Sequence, residues 1–315
     1  MLSVILVNFN NSGHTINCLK LLEQQNIEEY CIIIVENNSN KQNKEKIVEF
    51  LKNNKLSELF LKKVKIIHSE KNLGYAAANN LGIHNSKGDI ILLLNSDTTF
   101  DTIFLQSMLS FFRKYKLIQI AQPKICFYNI KKKESKTDLI WGLGGKMNCY
   151  SFKLFVMIDF LKEDKKLHSK PLKIDYATGC ALFIRRNVLN KIGLMDNSYF
   201  MYVEDADLCY RAKKQGFNAF CNTKTKIYHG ATLKISSNMR KYYFRNRNYF
   251  CFKHYSWHII FWQFILQFMD LITMTKNFPN KKTDPQFFFE SIKGILKGIK
   301  LGMIKRIKRK IITNS

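Results

Sequence analysis

The sequence predicts an α/β fold with a mostly parallel central sheet, and three observations carry that expectation. Short apolar runs alternate with stretches rich in helix formers. Hydrophobic residues make up 46% and charged residues 24% of the chain, the balance of a sequence that builds a core rather than staying unfolded. Amides and carboxylates collect just past the ends of the apolar runs. The runs occupy residues 3–9, 31–36, 64–68 and 89–95 and are rich in Ile, Val and Leu, as strands covered on both faces must be. The helical segments between them return the chain for parallel pairing. Ligands of such sheets bind beyond the carboxyl ends of the strands, so the residues there matter most. They read Asn8 and Asn10, then Glu36, Asn37 and Asn38, then Asn95, Ser96 and Asp97.

The 315 residues suffice for one large α/β domain plus an appendage. The formal charge of +27 predicts attraction to polyanions, whether nucleic acid, anionic lipid or a phosphorylated substrate. Its distribution is uneven: residues 224–315 hold 19 Lys and Arg against three acids, Asp270, Asp284 and Glu290, a net +16. Eight cysteines without a CxxC pair suit reduced thiols in a cytosolic compartment better than a zinc site or a disulfide framework. The opening MLSVILVNFN lacks the pattern of a signal peptide and fits a first strand. A charged stretch, KKKESKTD at 131–138, predicts a mobile loop, and WGLGGK after it fits a plain turn better than a phosphate loop.

Beyond about residue 230 the composition shifts to Tyr, Phe, Trp, Lys and Arg, which divides the chain into residues 1–248 and a helical basic tail, 249–315. Within 258–275, Gln263, Gln267 and Asp270 interrupt the apolar run at helical spacing. A polar stripe of this kind argues against a bilayer span and suits either the membrane interface plane or a protein core. The last segment, SIKGILKGIKLGMIKRIKRK, mixes Ile, Leu and Met with Lys and Arg in the manner of a membrane-surface helix, or of a packed helix with a solvated charged face.

Four segments carry the chemistry: VENNSN from Val35, NLGYAAANNLGI from Asn72, LLLNSDT from Leu92, and ATGCALFIRRNVLNKIGLMDNSYFMYVEDADLCYRAKKQGF from Ala177. Together, and in this order, they resemble glycosyltransferase family 2, in particular its bacterial rhamnosyltransferase-like branch, over residues 3–248. The resemblance implies a GT-A type fold and an inverting transfer of a sugar from a nucleotide-sugar donor. Such a transfer needs a cation to neutralise the departing diphosphate and a base for the incoming hydroxyl, hence two separate groups of acids.

A carboxylate at a strand end can hold Mg²⁺ or Mn²⁺ through hard oxygen ligation, and Asp97 stands at that place. In the family the tripeptide is usually Asp-x-Asp; here its first member is Asn95, which leaves Asp97 to carry the metal. Asn95–Thr98 could otherwise cap a following helix. By resemblance Asn8, Glu36, Asn72, Gly74 and Asn80 line the donor side, Glu36 meeting the nucleoside and Gly74 allowing close backbone approach to the nucleotide. Turn and helix-entry roles are the structural alternatives at these positions. Glu204, Asp205 and Asp207 crowd a predicted helix N-terminus, where like charges raise a carboxylate's pKa, although acids there also complement the helix dipole. The family's ED motif makes Asp205 the base, with Glu204 positioning the acceptor. His229, in IYHGAT, matches a histidine that approaches the metal or diphosphate, and Arg245, beside Asn246, matches a diphosphate-clamping arginine. Gly179 matches a glycine on the acceptor side, although a glycine within a strand can also mark a bulge.

The expected partners are a UDP- or dTDP-sugar, a saccharide or lipid-linked acceptor in polysaccharide or lipopolysaccharide synthesis, and the inner face of the cell membrane through the basic tail. A protein that only binds nucleic acid or membrane would account for the tail alone. A sugar nucleotidyltransferase would want a basic glycine-rich loop after the first strand, and NFNNSGHT has one glycine and no Lys or Arg.

Overall fold

The structure is a computed structural model that describes residues 1–53, 56–129, 135–165, 170–230, 236–276 and 285–314. The chain forms two compact units. The first comprises residues 1–146, 157–200 and 204–231, and the second residues 147–156, 201–203 and 232–315.

The first unit opens with four strands close to the expected runs: β1 (Leu2–Asn8), β2 (Tyr30–Glu36), β3 (Val64–His68) and β4 (Ile90–Leu94). Helices α1 (Ser12–Glu23), α2 (Lys41–Lys52), the single turn α3 (Glu58–Leu61) and α4 (Gly74–His84) separate them. Neighbouring strands in the order β3-β2-β1-β4 pair in parallel. Asn40 caps α2, its side chain accepting from the Asn43 amide at 3.0 Å.

Beyond β4 the chain does not enter a helix at once. It turns into the short strand β5 (Thr98–Phe100), which corrects the alternative that Asn95–Thr98 is a helix cap, and α5 (Phe104–Lys114) follows. Three long or central strands then extend the sheet: β6 (Ile120–Asn129), β11 (Ala181–Arg185) and β12 (Ala219–His229). The full order is β10-β12-β6-β11-β4-β1-β2-β3, with β10 (Leu172–Ile174) at one edge, β5 pairing β12 and β7 (Ser135–Gly142) pairing β6. β11 runs antiparallel to β4, so the sheet is mixed.

Part of the expected mobile loop is therefore strand: residues 135–142 form β7, while 131–134 lie outside the described residues. WGLGGK joins β7 to β8 (Gly145–Met147) through a turn in which Gly144 has φ +99°, so it leads into a strand and not into a phosphate-binding helix. β8 pairs with β9 (Phe155–Met157) in a small two-stranded sheet.

The core lies between the sheet and the helices. Leu92 and Leu94 of β4, Phe104 and Phe112 of α5 and Phe183 of β11 are all buried there, with edge-on ring contact between Phe104 and Phe183. Helix α6 (Arg186–Ile192) follows β11, and α7 (Glu204–Lys214) begins with acids and ends with Arg211, Lys213 and Lys214, each matched to the helix dipole. Leu208 and Ala212 are buried, as the helical reading of that segment requires.

The second unit contains α8 (Ser237–His254), α9 (Trp257–Lys276) and α10 (Pro285–Asn314). Helix α10 packs along α8 through Gly294, Gly298 and Gly302, where a Cβ would collide with Lys241 O, Arg245 O and Phe252 Cβ. In the same unit Asn246 Nδ2 donates to Met201 O at 2.7 Å and to Tyr202 O at 2.8 Å. Tyr202 and Val203, with φ of 71° and 74°, are consecutive left-handed non-glycine residues, a costly backbone that needs such support. No helix among the described residues is long and apolar enough to cross a membrane.

Candidate active site

The ends of β1 and β2 interlock. Asn8 Nδ2 donates to Glu36 Oε2 and, at 3.1 Å, to Ser39 Oγ, while its Oδ1 accepts from Thr15 Oγ1 at 2.8 Å. Glu36 Oε1 accepts from the Ser39 amide at 2.7 Å. Glu36 is only 2% exposed, so both carboxylate oxygens organise the two strand ends from inside. Asn10 and Asn38, immediately beyond, take left-handed conformations that asparagine tolerates better than most residues.

The loop entering α4 is tied to the same place. Asn37 Nδ2 donates to Asn72 Oδ1 at 3.0 Å, and Asn37 and Asn72 side chains accept from the amides of Leu73 and Gly74, each at 2.9 Å. Gly74 has φ +74°, and a Cβ there would collide with Phe200 O and the Phe200 ring. The close backbone approach that requires glycine in this structure is to Phe200. The Asn80 side chain donates to Met195 O and Asn197 Oδ1 and accepts from the Met195 amide, which makes it a brace for that loop.

The acids converge at the junction of β4 and β11. The Asn95 amide donates to Cys180 O at 2.9 Å, continuing the β4–β11 ladder past Leu94. One residue earlier, the Gly179 amide donates to Asp205 Oδ2 at 2.9 Å. Asp97 and Asp205, 108 positions apart, are therefore joined through two hydrogen bonds and a few residues of backbone. Gly179 O also accepts from Tyr75 Oη at 2.6 Å, and a Cβ on Gly179 would lie 2.7 Å from that oxygen, so glycine here admits the tyrosine. Ordinary ladder pairing begins only at Ala181.

Asp97 lies in the turn between β4 and β5, and the pairing of Thr98 with His229 sets the imidazole of β12 beside it. His229 Nε2 stands 3.2 Å from Asp97 Oδ1, and the Asp97 side chain keeps 31% exposure. Burial opposes ionisation of Asp97, but the His229 hydrogen bond and charge, with a smaller contribution from His14, hold its carboxyl below the usual range. Burial likewise disfavours the imidazolium, yet Cys180 and Asp97 outweigh it and push the His229 pKa up. His229 Nδ1 is buried without a hydrogen-bond partner. With Nε2 turned to Asp97, His229 orients that carboxylate. The Asn95 side chain makes no hydrogen bond among the described residues.

The three acids of α7 part ways. Asp207 is buried and accepts from Arg211 Nε at 2.8 Å and from Tyr199 Oη at 3.2 Å, an ion pair that leaves its charge close enough to act on Glu204. Glu204 is buried with Oε2 unpartnered, and burial, then the charges of Asp205 and Asp207, push its pKa well up. Asp205 remains partly exposed; burial raises its pKa against the pull of the Gly179 and Ala206 amides. Burial, more than like-charge crowding, is the main cause at both.

Tyr75, Ser39, Thr15 and His14 belong to this region and carry no sequence signal of their own, although Tyr75 sits inside the quoted NLGYAAANN segment. Arg245 lies on α8 of the second unit, its Nη1 donating to Asn246 Oδ1 at 2.9 Å.

Comparison with known proteins gives this geometry a family. The hexosyltransferase Agl10 of low-salt glycan biosynthesis in Haloferax volcanii is 27% identical over 158 residues, 48% of this chain and 47% of that protein. The amylovoran biosynthesis glycosyltransferase AmsB of Erwinia amylovora is 24% identical over 228 residues, 68% of this chain and 64% of that one. The chain thus spans about half to two thirds of the length of these relatives. Among solved structures, the mannosyltransferase PcManGT of Pyrobaculum calidifontis, in complex with GDP-Man and Mn²⁺, superposes with a TM-score of 0.55 at 10% identity, covering 96% of this chain and 73% of that one. Residues 1–349 of S. aureus TarS, in complex with UDP-GlcNAc, give a TM-score of 0.55 at 15% identity, covering 95% of this chain and 81% of that one. These likenesses establish a mixed α/β GT-A-like fold. Residues 3–193 match the family described as glycosyl transferase family 2, and the chain belongs to that family.

Proposed function

We propose that the chain transfers a sugar from a nucleotide-sugar donor to a saccharide or lipid-linked acceptor, with inversion at the anomeric carbon. The observation that carries this is the placing of Asp97 and Asp205 about one junction, Asn95 N to Cys180 O and Gly179 N to Asp205 Oδ2. The names of the relatives, a hexosyltransferase and a polysaccharide-building glycosyltransferase, support it. The nucleotide-sugar complexes of PcManGT and TarS support a nucleoside-diphosphate donor.

In the proposed step Asp205 accepts the acceptor's hydroxyl proton as that oxygen bonds to the anomeric carbon from the face opposite the leaving group. The carbon–oxygen bond to the diphosphate breaks, and the nucleoside diphosphate departs with the electron pair. Partly exposed and fixed by two backbone amides, Asp205 fits the base; the buried Glu204 beside it positions the acceptor. Gly179 shapes the acceptor side, and Asn8, Glu36, Asn72, Gly74 and Asn95 form or brace the donor side, with Asn80 behind them. Arg245 is assigned to the diphosphate on the family resemblance alone.

No cluster of three or more His, Cys, Asp or Glu suited to a metal occurs among the described residues. A cation shared with diphosphate oxygens needs only one or two protein carboxylates, and the partly exposed Asp97, held ionised and oriented by His229, fits that lesser demand. Mg²⁺ or Mn²⁺ bound there would neutralise charge on the leaving diphosphate. A UDP or dTDP donor, the rhamnosyltransferase-like branch and a place at the inner membrane face belong to the same proposal.

The test is a donor screen by isothermal titration calorimetry with Mn²⁺ present, followed by product analysis. Binding of a nucleoside diphosphate sugar and formation of the opposite anomer are expected. A chain that binds no such donor, or one that retains the anomeric configuration, overturns the proposal.

A further inference from the structure

Helix α9 is inverted for a helix that faces water. Its polar stripe points inward, with Gln263 1% and Gln267 2% exposed. Gln263 Nε2 donates to Cys149 O at 2.7 Å and its Oε1 accepts from Arg247 Nη2 at 2.6 Å. Gln267 Oε1 accepts from Asn248 Nδ2 at 2.7 Å, and Asp270 lies 3.8 Å from Arg240. These bonds fix the rotation of the helix, because turning it would strip buried amides of their partners. The apolar residues are consequently left outside. Trp257, Phe261, Ile265, Phe268 and Ile272 recur at the spacing of one helix face, and Trp257, Phe261 and Phe268 are 56%, 67% and 65% exposed. A contiguous apolar face of this size on a folded unit marks a docking surface.

We propose that this face of α9 docks on an anionic lipid bilayer, the helix lying in the plane of the headgroups. The proposal rests on the membrane-surface part of the function proposed above and deepens it by naming the helix that inserts. Charge selects the occupant. Lys297, Lys300 and Lys305 of α10 are exposed, while that helix's glycine face is buried on α8. Arg306 lies 4.5 Å from the Trp257 ring centroid, so the cationic helix meets the apolar stripe at its first turn. A second copy of the chain would bring one lysine-bearing patch against another, since a two-fold interface uses the same patch on both subunits. Lipid phosphates supply the missing countercharge, and Trp and Phe favour the headgroup boundary. The stripe covers residues 257–272, about 24 Å of helix, and it is interrupted by buried glutamines, so it suits lying along a surface and not crossing it.

The experiment is co-sedimentation of the full chain with phosphatidylcholine vesicles, with and without phosphatidylglycerol, alongside tryptophan quenching by brominated lipids. Binding to the anionic vesicles is expected, with quenching of Trp257 and Trp262 but not Trp141. The double variant Phe261→Ser/Phe268→Ser should lose at least about tenfold in vesicle affinity. Lys297→Glu/Lys300→Glu should weaken binding to anionic vesicles alone. Absence of vesicle binding, binding untouched by the Phe261/Phe268 pair, or a dimer that this pair dissolves would each overturn the proposal. Donor binding by the same preparations separates the two readings: vesicle binding without donor binding sinks the enzyme assignment and leaves this one standing.

Discussion

His229 Nε2 stands 3.2 Å from Asp97 Oδ1, and the strand pairing of β5 with β12 is what puts it there. The histidine engages one oxygen of the carboxylate, and the Asp97 side chain keeps 31% exposure.

Asp97→Ala should weaken donor binding measured calorimetrically with Mn²⁺, and chelation with EDTA should weaken the wild-type chain but change the variant little. The loss is expected to be about tenfold to a hundredfold, the range seen when a metal site loses a partner. His229→Ala should give a smaller loss in the same assay. Equal donor affinity in wild type and Asp97→Ala would remove the metal role from this residue.

Asp205→Asn should spare donor binding and lower turnover by roughly 10²–10⁴, the usual contribution of a general base. Wild-type turnover should rise with pH through an apparent value above the ordinary carboxylate range, because burial raises both members of the Glu204–Asp205 pair and they titrate together. A Glu204→Gln chain should keep the lower apparent value in place, since Glu204, raised by burial and by the Asp205 charge, still holds its proton where Asp205 ionises.

The same shift has a stability consequence of unusual sign. The folded Glu204 carboxyl binds its proton more tightly than the unfolded one, so its burial carries no charge penalty while it is protonated. Stability is lost as pH rises from the ordinary glutamate range through the raised folded value. Glu204→Gln should therefore come closest to wild type in Tm at about pH 4, below the unfolded glutamate value, and gain on it increasingly as pH rises, as followed by thermal circular dichroism.

Gly74→Ala combines a left-handed φ with a collision at Phe200 O, and should cost about 2–4 kcal/mol in urea unfolding. Gly13→Ala is the control: its Cβ would meet nothing within 4 Å, and a change under about 1 kcal/mol is expected.

Asn246→Ala removes two bonds to the carbonyls of Met201 and Tyr202, which hold the left-handed pair Tyr202–Val203. A loss of about 1–3 kcal/mol is expected by chemical denaturation.

The parallel half of the sheet was legible because strands covered on both faces must be apolar throughout, and IILLL and YCIIIVE leave little else to be. β7 was not, because KTDLIWG mixes charge and apolar residues as a partly exposed strand does, and it reads as loop until β6 is known to pair with it. At the site, Asp97, Glu204 and Asp205 stood out as acids placed at element ends. The partners that occupy Asn80 and Asp207 lie in loop backbone and in Arg211, and no spacing announces which polar residue will be spent on its own fold. The stripe on α9 was visible, but which way it faced depended on Cys149, Arg247 and Asn248, none of them its sequence neighbours.

Gly179 and Cys180 are consecutive, and one grips Asp205 while the other grips the strand end that carries Asp97. Two consecutive residues thus act as a gauge block that sets the gap between the two acids. Slippage of β11 along β4 would change that gap, whereas the surrounding loops can vary in length and sequence without touching it.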